Sequence, residues 1–140
     1  MNIAVRYISR GGNTKKLAEA IAAAAKVEAY SCGTPITEPV DILFLGGALY
    51  GFELDEGMAA FVESLAAANV GAVAVFGTSA IAKSGNKKLA AILKAKGLRV
   101  LEKEFYCHGE FKFMRRGHPD AVDLEQAARF AERATGDLSK

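Results

Sequence analysis

The sequence predicts an α/β fold, a doubly wound, five-stranded parallel sheet with helices on both faces. Short runs of β-branched and other apolar residues, typical of strands buried in a parallel sheet, alternate with helical stripes of apolar residues. This alternation is typical of parallel sheets covered by helices. With 140 residues, 51% of them hydrophobic and 24% charged, the chain is expected to form one globular domain over 1–140.

The first half of the chain contains three strand candidates and two helical stripes. Strands are predicted over 3–8, 27–30 and 40–45, and the second of these has the weakest pattern. Apolar residues spaced three and four positions apart predict a helix after the first and after the third strand. The first stripe is Leu17, Ala18, Ile21, Ala22 and Ala25, and the second is Met58, Phe61, Val62, Leu65 and Ala66.

The second half continues the alternation. A fourth strand is predicted over 70–76 and a fifth over 98–105. The helix between them ends at Gly97, because glycine is a common helix stop. A last helix follows Pro119, a residue that is tolerated near a helix start. The two stripes are Leu89, Ile92, Leu93 and Lys96, and then Leu124, Ala127, Ala128 and Ala131.

Charge and composition exclude several classes of function. The net charge of +2 gives no reason to expect nucleic acid or an anionic membrane as a partner. Two cysteines are too few for a disulfide scaffold, and no apolar run is long enough to span a bilayer, so we expect a cytoplasmic protein. The charges are segregated, since 27–82 holds seven acidic and no basic residues, whereas 83–118 holds ten basic and three acidic residues.

The loop after the first strand has the chemistry of a phosphate site. Its glycines let the backbone approach a ligand, and the start of the following helix favours an anion. The loop carries neither the Gly-Lys-Ser/Thr ending of a Walker loop nor a G-x-G-x-x-G fingerprint. An ordinary strand–helix turn with a polar cap is the alternative. The candidate phosphate-binding residues are Ser9, Arg10, Gly11, Gly12, Asn13 and Thr14.

These six residues resemble the FMN phosphate loop of flavodoxins, Ser/Thr-x-Thr-Gly-Asn-Thr, with Gly11 in place of the second hydroxyl residue. The segment 41–52, a strand followed by an aromatic residue and a glycine, is similar to the same family. The resemblance implies the strand order 2-1-3-4-5 and FMN as the cofactor. Flavodoxin is itself one of the folds behind the rule that ligands bind where the strand order reverses, so the predicted order depends on the resemblance alone.

The resemblance also implies roles for two further loops. Tyr50 would stack on the flavin ring, and the peptide at Gly51 would accept a hydrogen bond from N5–H of the reduced flavin. Core or lid packing is the alternative role for Tyr50. The remaining implied contacts are Ala48 and Leu49 beside Tyr50, and Thr78, Ser79 and Ala80 at the polar edge of the ring. Residues 77–86 contain no aromatic residue to cover the second face of the flavin.

The functional hypothesis that follows is a flavodoxin-type protein that carries one electron at a time between redox partner proteins. It needs no catalytic acid or base and no metal ligand, and it is expected to be a monomer or a weak dimer without nucleic-acid or membrane partners. An FMN-dependent NAD(P)H:quinone-type reductase is an alternative, which the lack of an aromatic residue in 77–86 favours, although Phe52, Ile81 or a partner molecule could cover that flavin face instead. A flavodoxin-like module with weak or lost FMN binding is a further alternative, because Gly11 supplies no hydroxyl.

Overall fold

The computed structural model describes residues 1–8, 12–47, 56–78, 84–101, 105–107 and 121–139. For residues 13, 78, 84–88, 106–107 and 137–139 the backbone alone is described. The elements in chain order are β1 (Ile3–Tyr7), α1 (Asn13–Ala25), β2 (Ala29–Ser31), β3 (Val40–Gly47), α2 (Glu56–Ser64), β4 (Val70–Thr78), α3 (Ser84–Ala95), β5 (Phe105–Cys107) and α4 (Ala121–Ser139).

The described strands form one parallel sheet. Its order is β2-β1-β3-β4, and the three-residue strand β5 lies beside β4. The predicted α/β architecture with a parallel sheet is therefore confirmed. The chain adds β2 on one side of β1 and then β3 on the other, so the direction of winding reverses between β1 and β3. Such a reversal opens a crevice at the carboxyl ends of the two strands.

The last strand differs from its predicted bounds of 98–105. Val100 forms an isolated parallel bridge with Val73, and the described pairing of β5 with β4 runs from Phe105, opposite Phe76, to Cys107. Three positions separate Val73 from Phe76, whereas five separate Val100 from Phe105. Because the two segments advance by different numbers of residues, one continuous ladder cannot join both pairs. The prediction was wrong here, and β5 starts where the predicted strand was expected to end.

Helices cover both faces of the sheet, as predicted. On one face, Leu17 of α1 and Phe130 of α4 join the buried cluster around Phe44, and we call this the α1/α4 face. On the other, Met58 of α2 and Leu93 of α3 join a second cluster, and we call this the α2/α3 face. Among the described helices, none combines the length and the apolar character needed to cross a membrane.

The connection between β2 and β3 is unusually short. It crosses β1 within residues 32–39, which contain no helix. Parallel strands are usually joined by about a dozen residues or more, most often including a helix. Cys32 and Ile36 of this connection pack into the cluster on the α2/α3 face. The connection therefore lies over the sheet, where its backbone carbonyls need hydrogen-bond donors.

Arg6 of β1 supplies these donors. Its Nε donates to the carbonyl oxygen of Thr34 at 2.9 Å, and its Nη2 donates to that of Pro35 at 3.3 Å. The side chain is 8% exposed, and its guanidinium carbon lies 5.2 Å from the centroid of the Tyr30 ring. Burial lowers the pKa of the Arg6 guanidinium. A buried arginine thus attaches to β1 a connection that, in most parallel sheets, would contain a helix.

Lys26 ends α1 in a strained backbone conformation. Its φ is 62°, in the left-handed region, which costs an L-residue roughly 1–2 kcal/mol but costs glycine little. Lys26→Gly is therefore expected to raise the free energy of unfolding by about 0.5 kcal/mol, since the greater freedom of glycine in the unfolded chain offsets part of the relief. Urea unfolding measures this, with Lys26→Ala as the control that keeps the strain. A Lys26→Gly protein no more stable than Lys26→Ala would contradict the explanation.

Candidate cofactor site at the carboxyl edge of the sheet

The carboxyl ends of β1, β3 and β4 lie side by side. Tyr7 pairs with Gly46, and Gly46 pairs with Phe76 in the next strand. Because neighbouring strands are about 4.8 Å apart, these three ends lie within about 10 Å of one another across the sheet. The loops predicted to contact a ligand, 9–14, 46–56 and 77–86, follow these strand ends in the sequence, and their parts 9–11, 48–55 and 79–83 lie outside the described residues.

Gly12 leads the chain into α1. Its φ is 86°, and a Cβ built on it would meet no heavy atom within 4 Å, so the backbone conformation rather than space requires glycine. Its carbonyl oxygen accepts a hydrogen bond from the Lys16 N–H at 3.1 Å, the first bond of the helix. Thr14 is buried, with 2% of its surface exposed. The first-turn N–H groups of an α-helix have no intrahelical acceptor, and α1 begins at the carboxyl edge of the sheet.

The electrostatics of the first turn of α1 suit an anion. The turn has no acidic residue, and Lys15 and Lys16 are both exposed. Lysines at a helix start oppose the helix dipole, so helix stability does not account for this pair. A bound anion would interact favourably with both the dipole and the lysines. The described start of α1 therefore fits a phosphate group.

β3 ends in two glycines. At each of them, the space that a side chain would occupy is filled by a neighbouring residue, on one face of the sheet for Gly46 and on the other for Gly47. A Cβ on Gly46 would overlap the ring of Phe76, and a Cβ on Gly47 would lie 2.9 Å from Cε of Met58. Both neighbours are buried. The end of β3, where segment 48–55 begins, is thus held by an aromatic ring on the α1/α4 face and a thioether on the α2/α3 face.

Four of the thirteen predicted FMN-binding residues fall in the described part of the chain. Gly12, Asn13 and Thr14 lie together at the start of α1, and the backbone of Thr78 ends β4 at the same edge. The structure brings these four to one edge, and their contacts with a cofactor stay predictions. The other nine lie outside the described residues: Ser9, Arg10, Gly11, Ala48, Leu49, Tyr50, Gly51, Ser79 and Ala80.

Three residues of this edge were not predicted as part of a site. The sequence pattern places Phe76 and Met58 only in a strand and in an apolar stripe, and it gives Lys15 no role. The signal that could have found the first two is the glycine pair Gly46–Gly47, because adjacent glycines at a strand end often mark close approach by a neighbour. Within the described ranges, no three His, Cys, Asp or Glu side chains are grouped as they would be around a metal ion.

Comparison with known proteins shows the fold. No protein-family model matches the chain, and no curated protein matches its sequence. A flavodoxin from the domain Archaea is similar in structure, with a TM-score of 0.82, 18% identity and coverage of 100% of both chains. Flavodoxin 1 from Bacillus cereus has a TM-score of 0.76 at 19% identity, covering 97% of this chain and 98% of that one. Rubredoxin oxygen:oxidoreductase from Desulfovibrio gigas has a TM-score of 0.78 at 16% identity, covering 98% of this chain and 36% of that one.

Proposed function

We propose, from the flavodoxin-like fold that these similarities show, that the chain binds FMN at the carboxyl edge of its sheet and carries electrons between redox partner proteins. The observation that carries the proposal is the start of α1, where Gly12 turns the backbone into a helix whose first turn is basic. This helix start follows β1 at the point where the winding of the sheet reverses. The flavodoxin-like fold, the position of the start of α1 and the positive charge of its first turn thus all support FMN as the ligand.

The residues at the start of α1 would hold the phosphate of FMN. Backbone N–H groups of the first turn would supply donors, and Gly12 adopts the left-handed backbone conformation that this turn requires. Lys15 and Lys16 add positive charge to the same end of the helix. Ser9, Arg10 and Gly11, from the predicted loop, would complete the cradle.

The other two segments would hold the flavin ring. Tyr50 would stack on one face, and the backbone of Gly51 and of residues 78–80 would bond its polar atoms. When bound, FMN supplies one-electron oxidation and reduction, and no side chain of the protein is needed as an acid or base. Glu56, exposed at the start of α2, places negative charge at this edge, which disfavours electron addition by Coulomb repulsion.

Binding of FMN by the apoprotein tests the proposal. We expect the wild type to bind FMN with quenching of flavin fluorescence, and Tyr50→Ala to raise the Kd about tenfold, because an aromatic contact contributes about 0.5–1.5 kcal/mol beyond burial. Tyr50→Phe keeps the ring and is the matched control, with a Kd near that of the wild type. Wild-type protein that binds no FMN at micromolar concentration would refute the proposal and favour a module that has lost the cofactor. Equal Kd values for Tyr50→Ala and the wild type would refute the stacking role alone.

A reductase of quinones or similar acceptors is the second candidate. The absence of an aromatic residue from 77–86 favours it, because a substrate could reach a flavin face that this segment does not cover with a ring. Steady turnover of NAD(P)H with a quinone by the FMN-loaded protein would support the reductase. Electron exchange with protein partners, without such turnover, would support the carrier.

A further inference from the structure

We infer that Met58 is a positioning residue for the proposed FMN site, because it fixes the two chain ends between which segment 48–55 runs. The inference rests on the proposed function, since this segment carries Tyr50 and Gly51. Gly47 is the last residue of β3, and Glu56 is the first residue of α2. A residue that holds β3 and α2 together therefore fixes the positions of the two chain ends that segment 48–55 connects.

The contact between Met58 and Gly47 joins the two ends directly. Met58 stands in the first turn of α2, and its Cε lies where a Cβ on Gly47 would be only 2.9 Å away. The Met58 side chain is 1% exposed and belongs to the cluster on the α2/α3 face. The methyl group therefore rests on the backbone of the strand end, and glycine at 47 is what lets it do so.

The chemistry of methionine suits this role. Its unbranched thioether fills irregular gaps and adapts to small shifts, whereas a branched side chain is stiffer at the same position. On the opposite face, the rigid ring of Phe76 lies against Gly46, where β3 is paired with β4. The strand end thus has one rigid contact toward the sheet and one adaptable contact toward α2. The adaptable contact is the one that joins the end of β3 to the first turn of α2.

The test combines FMN affinity with the stability of the apoprotein. We expect Met58→Ala to raise the Kd for FMN about five- to tenfold, up to the loss expected when Tyr50 no longer stacks. Met58→Leu keeps the volume and is expected to stay within about twofold of the wild type. The visible absorption spectrum of bound FMN is expected to change in Met58→Ala, as it does when an aromatic contact with the ring is displaced, and to be normal in Met58→Leu.

Val62→Ala is the matched control for a purely structural effect. Val62 lies one turn further along α2, is 1% exposed and belongs to the same cluster, but it does not contact Gly47 in the way that Met58 does. Its truncation is expected to lower the melting temperature of the apoprotein and to leave the Kd for FMN unchanged. If Met58→Ala does not fold, Gly47→Ala tests the same contact, because the new methyl group displaces the flexible end of Met58.

Two results would separate the inference from the function on which it rests. Wild-type protein that binds no FMN overturns both. Wild-type protein that binds FMN, with Met58→Ala or Gly47→Ala binding it equally well, overturns the inference alone. In the double variant Met58→Ala/Gly47→Ala, effects on Kd that simply add would also overturn it, since two changes to one contact are not additive.

Discussion

Replacing Gly46 with alanine is expected to lower the free energy of unfolding by about 3 kcal/mol, the upper part of the range for overpacked cores. The new methyl group would overlap the ring of Phe76, which is 0% exposed and is packed in the cluster on the α1/α4 face with Phe105 and Phe130. A rigid, enclosed ring has no space into which it can move. Urea or guanidinium unfolding measures the change, and the melting temperature should fall by roughly 10 °C.

Gly33→Ala is the matched control for this change. A Cβ on Gly33 would have the Oγ of Ser31 at 3.6 Å as its nearest neighbour, an ordinary contact, so we expect the unfolding free energy to change by less than about 0.5 kcal/mol. Phe76→Leu in the Gly46→Ala background makes room and should recover part of the lost stability. A Gly46→Ala protein as stable as Gly33→Ala would show that Phe76 does not lie over this strand end.

Replacing Arg6 with methionine is expected to lower the free energy of unfolding by about 2 kcal/mol, because partly buried carbonyl groups lose charged donors. The carbonyl oxygens of Thr34 and Pro35 lose their bonds to the guanidinium, and the connection 32–39 loses its attachment to β1. The effect is not larger because burying the guanidinium itself costs free energy, as its lowered pKa indicates. Equilibrium unfolding in urea measures the change, with an unaltered m-value as evidence that the native fold is kept.

Two further variants sharpen this test. Arg6→Lys keeps the charge but not the planar fork that reaches both carbonyl groups, so its stability should lie between those of the wild type and Arg6→Met. Arg99→Met removes an exposed arginine and should change the unfolding free energy by less than about 0.5 kcal/mol. Equal stabilities of Arg6→Met and Arg99→Met would mean that water replaces the guanidinium at no cost.

The architecture of the sheet could be predicted from local patterns, because buried parallel strands and amphipathic helices have different apolar periods. Residues 27–45 contain no helical stripe, and the structure accordingly joins β2 to β3 without a helix. The bounds of β5 could not be predicted. They depend on how the chain after α3 advances against β4, which the apolar pattern of 98–105 does not encode.

The candidate site could be predicted in part. The glycines and the lack of acidic residues were enough to predict a turn at Gly12 into a helix without acidic residues in its first turn, and anion binding there stays a prediction. The pair Gly46–Gly47 signals a close approach by neighbours, but which side chains approach could not be predicted, because this depends on strand register and on the packing of α2. The same limit applies to Lys96, predicted within an apolar stripe, whose Nζ instead donates to the carbonyl oxygens of Val62 and Glu63 at 2.9 and 2.6 Å.

The helix-free connection after β2 divides the molecule into parts of unequal local stability. β2 forms three residue pairs with β1 along one side, and its link to β3 is held by the hydrogen bonds of Arg6 and by the packing of Cys32 and Ile36. Detaching β2 with 32–39 leaves the rest of both core clusters buried, so this opening requires less free energy than global unfolding. The pairing of β3 with β4 is on the other side of β1 and stays intact in such an opening. Fluctuation at this margin of the protein and order at the carboxyl ends of β3 and β4 can therefore vary independently.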